Sequence, residues 1–142
     1  MKKLILLFVI AGFFTQAQAQ KLMSKDVPVA VKTAFNKAHT SVKDVEWNKN
    51  GNNYEVNYEA EEDEASLIFD VSGKLIETKV EISSPALPAL AMQYVKKNYK
   101  EKDMNAIHKI TVANGTLTYE TELKGIVLIF DSKGNFINSV KE

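Results

Sequence analysis

The 142-residue chain has no cysteine and no arginine. Without cysteine there is no disulfide, no thiol nucleophile, no thiolate metal site and no lipid anchor through a cysteine. Without arginine it lacks the planar, bidentate donor that phosphate and base recognition favours, so nucleic acid is not an expected partner. Histidine is almost as scarce, with only His39 and His108. A zinc site would therefore need carboxylate help, and no His-Glu-x-x-His spacing occurs; no zinc is assigned. His39 falls at the end of a predicted helix, where a cation is welcome beside free carbonyls, and His108 falls on or near a strand. Neither is flanked by a catalytic motif, and no nucleophile-base pair or cleft carboxylate pair is recognisable, so the chain reads as a non-enzyme without a required cofactor. Long apolar runs are also missing. The run from Leu4 to Phe14 falls short of the roughly 20 residues a membrane helix needs.

What is present begins with a leader. Lys2 and Lys3, the apolar run and then Ala17-Gln18-Ala19 read as a secretory signal over residues 1–19, with Gln20 starting the mature chain. The expected location is the periplasm or the outside of a bacterium, with no membrane anchor after cleavage. Cleavage turns the balance of 18 lysines and 18 acids into a net charge of −2, because it removes two lysines and no acid.

After a lead over 20–26 the chain repeats itself. Val27-Pro28 and Leu87-Pro88 each open a stretch with apolar residues at intervals of three and four: Val27, Val31, Ala34, Phe35 and Ala38, then Leu87, Leu90, Ala91, Tyr94 and Val95. Each predicts a helix with one apolar stripe. Proline belongs in a first helical turn, and Asp26 and Ser84 are candidate caps. The period then becomes two. Val45-x-Trp47 and Tyr54-x-Val56-x-Tyr58 flank Asn50-Gly51, while Ile110-x-Val112 and Leu117-x-Tyr119 flank Asn114-Gly115, each a hairpin signal. A second hairpin follows in each copy, through Ile68-Phe69-Asp70-x-x-Gly73 and Ile129-Phe130-Asp131-x-x-Gly134. The reading is an α+β protein of two α-β-β-β-β units, 27–82 and 87–142, joined by a linker at 83–86. A unit of this size buries little surface alone and its sheet edges are a liability, so the two are expected to join in one antiparallel eight-stranded sheet with both helices on one face.

The leader, the doubled unit, the Val-Pro and Leu-Pro helix starts, Trp47 followed by Tyr54-x-Val56-x-Tyr58, and the repeated Phe-Asp-x-x-Gly resemble the PepSY-like periplasmic proteins of Bacteroidetes, whose fold is similar to that of the β-lactamase inhibitor protein. The resemblance covers the chain from about Val27 to Val140 and implies an inhibitor-like or calcium-regulated periplasmic protein. It departs from the family pattern at the helix ends, His39-Thr40 and Tyr99-Lys100, and the second unit has no counterpart of Trp47.

Two candidate sites follow. Along the alternating strands, Glu55, Asn57 and Glu59 point opposite to Tyr54, Val56 and Tyr58, and Glu120 and Glu122 point opposite to Tyr119 and Thr121. One set packs beneath the helices and the other forms an open sheet face able to hold a protein or peptide. Trp47, Tyr54 and Tyr58 are either core or, on the open face, aromatic anchors; with Glu55, Asn57, Glu120 and Glu122 they are the candidate partner-binding residues. Continuous apolar runs, Leu67-Ile68-Phe69 and 126–130, fit strands covered on both sides or a sticky open face. The second site is the acidic hairpin tip, where Glu59, Glu61, Glu62, Asp63 and Glu64 could supply oxygen ligands to calcium or simply keep the tip solvated. The Asp70 and Asp131 turns lack the further ligands of an EF-hand loop and read as turns. Charge also divides by copy, −5 over 27–82 and +2 over 87–142, which suggests a dipole along the molecule.

Overall fold

The computed structural model describes residues 20–60 and 63–141. The leader expected over residues 1–19 lies outside them. The described strands are β1 (Gln20–Leu22), β2 (Val45–Asn50), β3 (Asn53–Ala60), β4 (Asp63–Phe69), β5 (Leu75–Glu81), β6 (Met104–Val112), β7 (Leu117–Leu123), β8 (Ile126–Asp131) and β9 (Phe136–Lys141). Helices α1 (Val29–Ala38) and α2 (Ala89–Asn98) precede β2 and β6. All pairings are antiparallel and the nine strands lie side by side in chain order, so the sheet is a continuous meander.

The expected eight-stranded sheet is thus corrected to nine. The addition is β1, in the segment read as an N-terminal lead, where Leu22 pairs with Trp47 and packs against the first core. Three residues are too few to display an alternation, and β1 is stabilised by the strand it meets. The repeats join through β5 and β6, where Glu77 to Glu81 pair with Val112 to His108. This seam removes two edges that separate units would expose.

Each helix is ten residues long, too short to persist alone, and is held by what it covers. From α1 and the residue leading into it, Val27, Val31 and Phe35 pack with Trp47, Val56, Tyr58, Ala65, Leu67 and Phe69. From α2 and its lead, Leu87, Ala91 and Val95 pack with Ile107, Leu123, Leu128 and Phe130. Each fully buried large side chain contributes about 1.5–3 kcal/mol, so these two cores carry most of the favourable term. Pairing aligns the repeats strand by strand. Leu67 and Phe69 correspond to Leu128 and Phe130, Val56 to Thr121, and Trp47, which pairs with Val56, to Ile107, which pairs with Thr121.

The helix starts differ from expectation. Pro28 and Pro88 occupy the N-cap rather than the first turn, and their carbonyls accept the bonds from Lys32 N and Met92 N at 3.1 Å. Asp26 and Ser84 do not cap by side chain; each belongs to a short 3-10 turn, Ser24–Asp26 or Ser84–Ala86, which sets the approach to the helix. Opposite these starts, the Asp70 and Asp131 turns behave as read. Asp70 Oδ1 accepts from the amides of Ser72 and Lys74, and Asp131 Oδ1 from those of Lys133 and Asn135. The Ser72 hydroxyl first and then these amides hold the Asp70 carboxyl below its ordinary range, and Asn135 does the same for Asp131. Each turn ends on a glycine at positive φ tucked against the first turn of a helix: Gly73 at +85° beside Ala30, and Gly134 at +89° beside Pro88 and Ala91.

Candidate functional site

Residues directly paired in an antiparallel sheet share a face, so the register can be followed from β2 to β8. Trp47, Val56, Leu67, Thr78, Thr111, Leu117 and Phe130 belong to the face on which the cores lie, or continue its rows. The other face carries Asn48, Glu55, Ile68, Glu77 and Val112 in one row. A second row holds Glu46, Asn57, Ser66, Lys79, Ile110 and Thr118. A third runs from Glu81 through His108 and Glu120 to Ile129.

The partner-binding candidates therefore separate. Trp47 and Tyr58 are buried beneath α1, with Phe35 edge-on to both at 5.7 and 5.4 Å between ring centres, and Tyr54 is half-buried against the same core. They are core residues and not anchors on the opposite face; apolar rings at alternate positions were drawn to the one side where a helix removes them from water. Burial pushes the Tyr58 hydroxyl up. Glu55, Asn57, Glu120 and Glu122 do lie together on the other face. His39 ends α1, its ring stacked on Phe35 at 5.0 Å and 4.9 Å from Tyr58.

Lys79 is the hub of the face. Its ammonium lies 3.3 Å from Glu120 and 3.7 Å from Glu122, joining the repeats across the seam. The Glu120 side chain is only 8% exposed, so Lys79 supplies the opposite charge where water has little access. Glu55 accepts from the Ser66 hydroxyl at 2.9 Å. Glu77 is held above the ordinary carboxylate range, first by burial and then by the negative charge of Glu120. His108 is pushed the other way, first by burial and then by Lys79; Glu122, 3.3 Å from its Nδ1, opposes this only in part. That nitrogen is buried without a well-formed hydrogen bond.

Two features were missed in the sequence. One is the membership of Lys79, Glu77, His108 and Ile110, whose faces follow from alternation only once the pairing of β5 with β6 is known. The other is the sorting of charge. Every strand glutamate with a described side chain is on this face: Glu46, Glu55 and Glu59, Glu64, Glu77 and Glu81, Glu120 and Glu122. Lys49, Lys109 and Lys141 pair with Tyr54, Tyr119 and Ile126 on the helix-packed side. Lys21 and Lys79 lie among the glutamates, so the described strand acids gather on one face while the lysines are shared by both, a pattern that cuts across the division by copy.

Of the calcium candidates, Glu59 and Glu64 are directly paired and exposed, Asp63 begins β4, and Glu61 and Glu62 lie outside the described residues. Among the described residues no group of three or more histidine or acidic side chains gathers to hold a metal. Beside Glu59 and Glu64 an open groove of about 1380 Å³ runs past His39, Val45, Tyr58, Lys79 and His108. No described helix is long and apolar enough to cross a membrane.

Two α-β4 units joined in one antiparallel meander, with the cores of both on the helix-packed side, define the class of fold. The family described as "Putative beta-lactamase-inhibitor-like, PepSY-like" matches residues 13–77 and 64–138, and the chain belongs to it. Solved structures share the fold. A chain described among "putative periplasmic proteins" of Bacteroides eggerthii is 10% identical with a TM-score of 0.75, covering 81% of this chain and 88% of that one. A DUF2874 family protein from Bacteroides ovatus is 15% identical with a TM-score of 0.71, over 80% and 86%. A BLIP-like protein from Bacteroides fragilis is 18% identical with a TM-score of 0.60, over 79% and 84%. No curated protein matches the sequence.

Proposed function

We propose that this chain is a periplasmic, non-enzymatic binding module, inhibitor-like in build, whose two helices cover one face of the sheet while the other receives a protein or peptide. The observation that carries the reading is the register, which runs Asn48, Glu55, Ile68 and Glu77 in one unbroken row on the face away from both cores. The likeness to a BLIP-like protein of Bacteroides fragilis supports the class, and the likeness to a chain described among "putative periplasmic proteins" of Bacteroides eggerthii supports the compartment, in keeping with the leader expected over 1–19. The mixture of isoleucines with glutamates and the lysines Lys21 and Lys79 suits a polypeptide ligand, which offers both apolar and polar contacts.

The test is capture of partners from periplasmic extract of the native host on the whole chain and on two variants. Ile129→Lys places a charge on the uncovered face, whereas Val29→Lys alters an exposed residue of α1. Partners should be lost with the first and kept with the second. Retention of every partner by folded Ile129→Lys protein rejects the reading.

A second reading keeps calcium at the acidic tip. It is favoured by Glu59 facing Glu64 across the hairpin, because like charges directly opposed destabilise a strand pair and a bridging cation relieves them. Calorimetry with calcium on wild type and Glu59→Gln/Glu64→Gln decides: heat and a rise in Tm should appear in the first and vanish in the second. No heat in wild type removes it.

A further inference from the structure

We propose that the occupant of the uncovered sheet face is a cationic segment of another polypeptide, one in which lysine or arginine alternates with apolar side chains. The inference deepens the open-face reading and rests on it.

Charge complementarity carries the argument. Across β3 to β7 the described cation of this face is Lys79, and it is committed to Glu120 and Glu122. Glu55 has neutral partners, the Ser66 hydroxyl and the Asn50 amide, and Glu81 is paired in register with His108. The face thus holds more negative charge than its own groups compensate, Lys21 being paired with Glu46 and Lys79 with Glu120 and Glu122. A partner bringing positive charge gains Coulomb energy, whereas an anionic one adds to the repulsion.

The apolar floor gives the second half of the match. Ile68 lies between Glu55 and Glu77 in the cross-strand row, and Ile129 lies beside Glu120. Neighbouring strands are about 4.8 Å apart. A lysine laid over Ile68 can therefore rest its alkyl stem on the isoleucine and reach a carboxylate with its ammonium, the arrangement in which that side chain loses least hydration. The opposite side of the molecule carries exposed Lys37 on α1 and Lys97 on α2, next to Lys96, whose ammonium lies 3.2 Å from Glu101. A basic partner is repelled there, which orients its approach.

The test is fluorescence anisotropy with the whole chain and three labelled peptides of equal length, in which isoleucine alternates with lysine, glutamine or glutamate. The lysine peptide should bind tightest, with affinity falling roughly tenfold or more between about 50 and 300 mM salt. Glu55→Gln/Glu77→Gln should weaken it about fivefold or more, and Lys96→Gln/Lys97→Gln should leave it unchanged or improve it. Glu81→Gln serves the same purpose if the double variant does not fold. Equal binding of all three peptides that Ile129→Lys abolishes overturns the cationic partner and leaves the open-face reading standing. Failure of every peptide overturns it too, and if Ile129→Lys also keeps every periplasmic partner, both readings fall. Self-association in sedimentation, lost in Lys96→Gln/Lys97→Gln, overturns it in favour of a second copy whose helix side covers this face.

Discussion

Lys79 of the first repeat sits 3.3 Å from Glu120 of the second, on strands separated by β6. The pair spans the seam at which two units become one sheet. Removing one partner of a buried ion pair leaves the other desolvated and uncompensated, a larger effect than the net worth of the pair. Lys79 is partly exposed, so part of that penalty is screened. Lys79→Met is therefore expected to lower stability by about 1–3 kcal/mol. Glu120→Gln, which keeps shape and removes the charge, should lower it less. Urea unfolding of the two variants checks the order, and a larger loss in Glu120→Gln contradicts it.

The two glycine turns make a paired prediction. A Cβ on Gly73 would stand 2.6 Å from the Ala30 carbonyl oxygen, and one on Gly134 would stand 2.8 Å from the Ala91 nitrogen. Both obstacles are backbone, and both glycines are at positive φ. Gly73→Ala and Gly134→Ala should each cost about 2–4 kcal/mol, against about 1 kcal/mol for Gly51→Ala, which has positive φ but open space. Thermal unfolding of the three variants reads the difference directly.

Much of the fold was legible because it occurs twice. The Val-Pro and Leu-Pro starts, the Asn-Gly hairpins and the Phe-Asp-x-x-Gly turns are each weak alone, and their recurrence at a near-constant offset turns them into a unit. The short strand over Gln20–Leu22 was not legible, since its residues carry no pattern and acquire a state only from β2. The site was half legible. Alternation separated Glu55 and Asn57 from Tyr54 and Tyr58, but which set met the helices was settled by packing of Trp47 and Tyr58 on Phe35. Lys79 and His108 needed the pairing across the seam, which is a tertiary fact.

Neighbouring residues on β8 distinguish the faces. Leu128 is fully buried beneath α2, and Ile129 is half-buried on the other side. Leu128→Lys buries an ammonium among Leu87, Ala91, Val95, Ile107, Leu123 and Phe130 and should cost about 3–5 kcal/mol. Ile129→Lys keeps its charge near water and should cost under about 1.5 kcal/mol. Circular dichroism melts of both variants test the assignment, and a reversal of the order would exchange the two faces.

Acid should act on His108. Its folded pKa lies below the ordinary value, so between those two values the unfolded chain binds the proton more readily than the folded one. Its contribution to stability is complete above about pH 6.5 and is lost as pH falls toward the folded value. Glu77 acts with the opposite sign: its raised pKa makes the folded chain take up a proton first, so its ionisation lowers stability as pH rises above the ordinary carboxylate value. His108→Gln should accordingly flatten the fall in Tm between about pH 7 and 5, and Glu77→Gln should raise Tm most at neutral pH. A His108→Gln profile parallel to wild type would show that the ring is not the group responsible.

Thr121 presents the clearest single improvement. It occupies the place that Val56 fills in the first repeat, both are fully buried, and its hydroxyl lacks a hydrogen-bond partner. The repeat thus supplies its own control: the same sheet position, beneath the same kind of helix, is apolar in one copy and polar in the other. Burying an unsatisfied hydroxyl costs about 1–3 kcal/mol, while valine has nearly the same shape and leaves no donor to satisfy. Thr121→Val is expected to raise stability by about 1 kcal/mol or more without changing peptide binding, because the residue points away from the uncovered face. The reciprocal change, Val56→Thr, should lower stability by a similar amount. Chemical unfolding of both variants tests the equivalence of the two positions. If Thr121→Val destabilises, the hydroxyl has a partner in solution and the two sites differ in more than one atom.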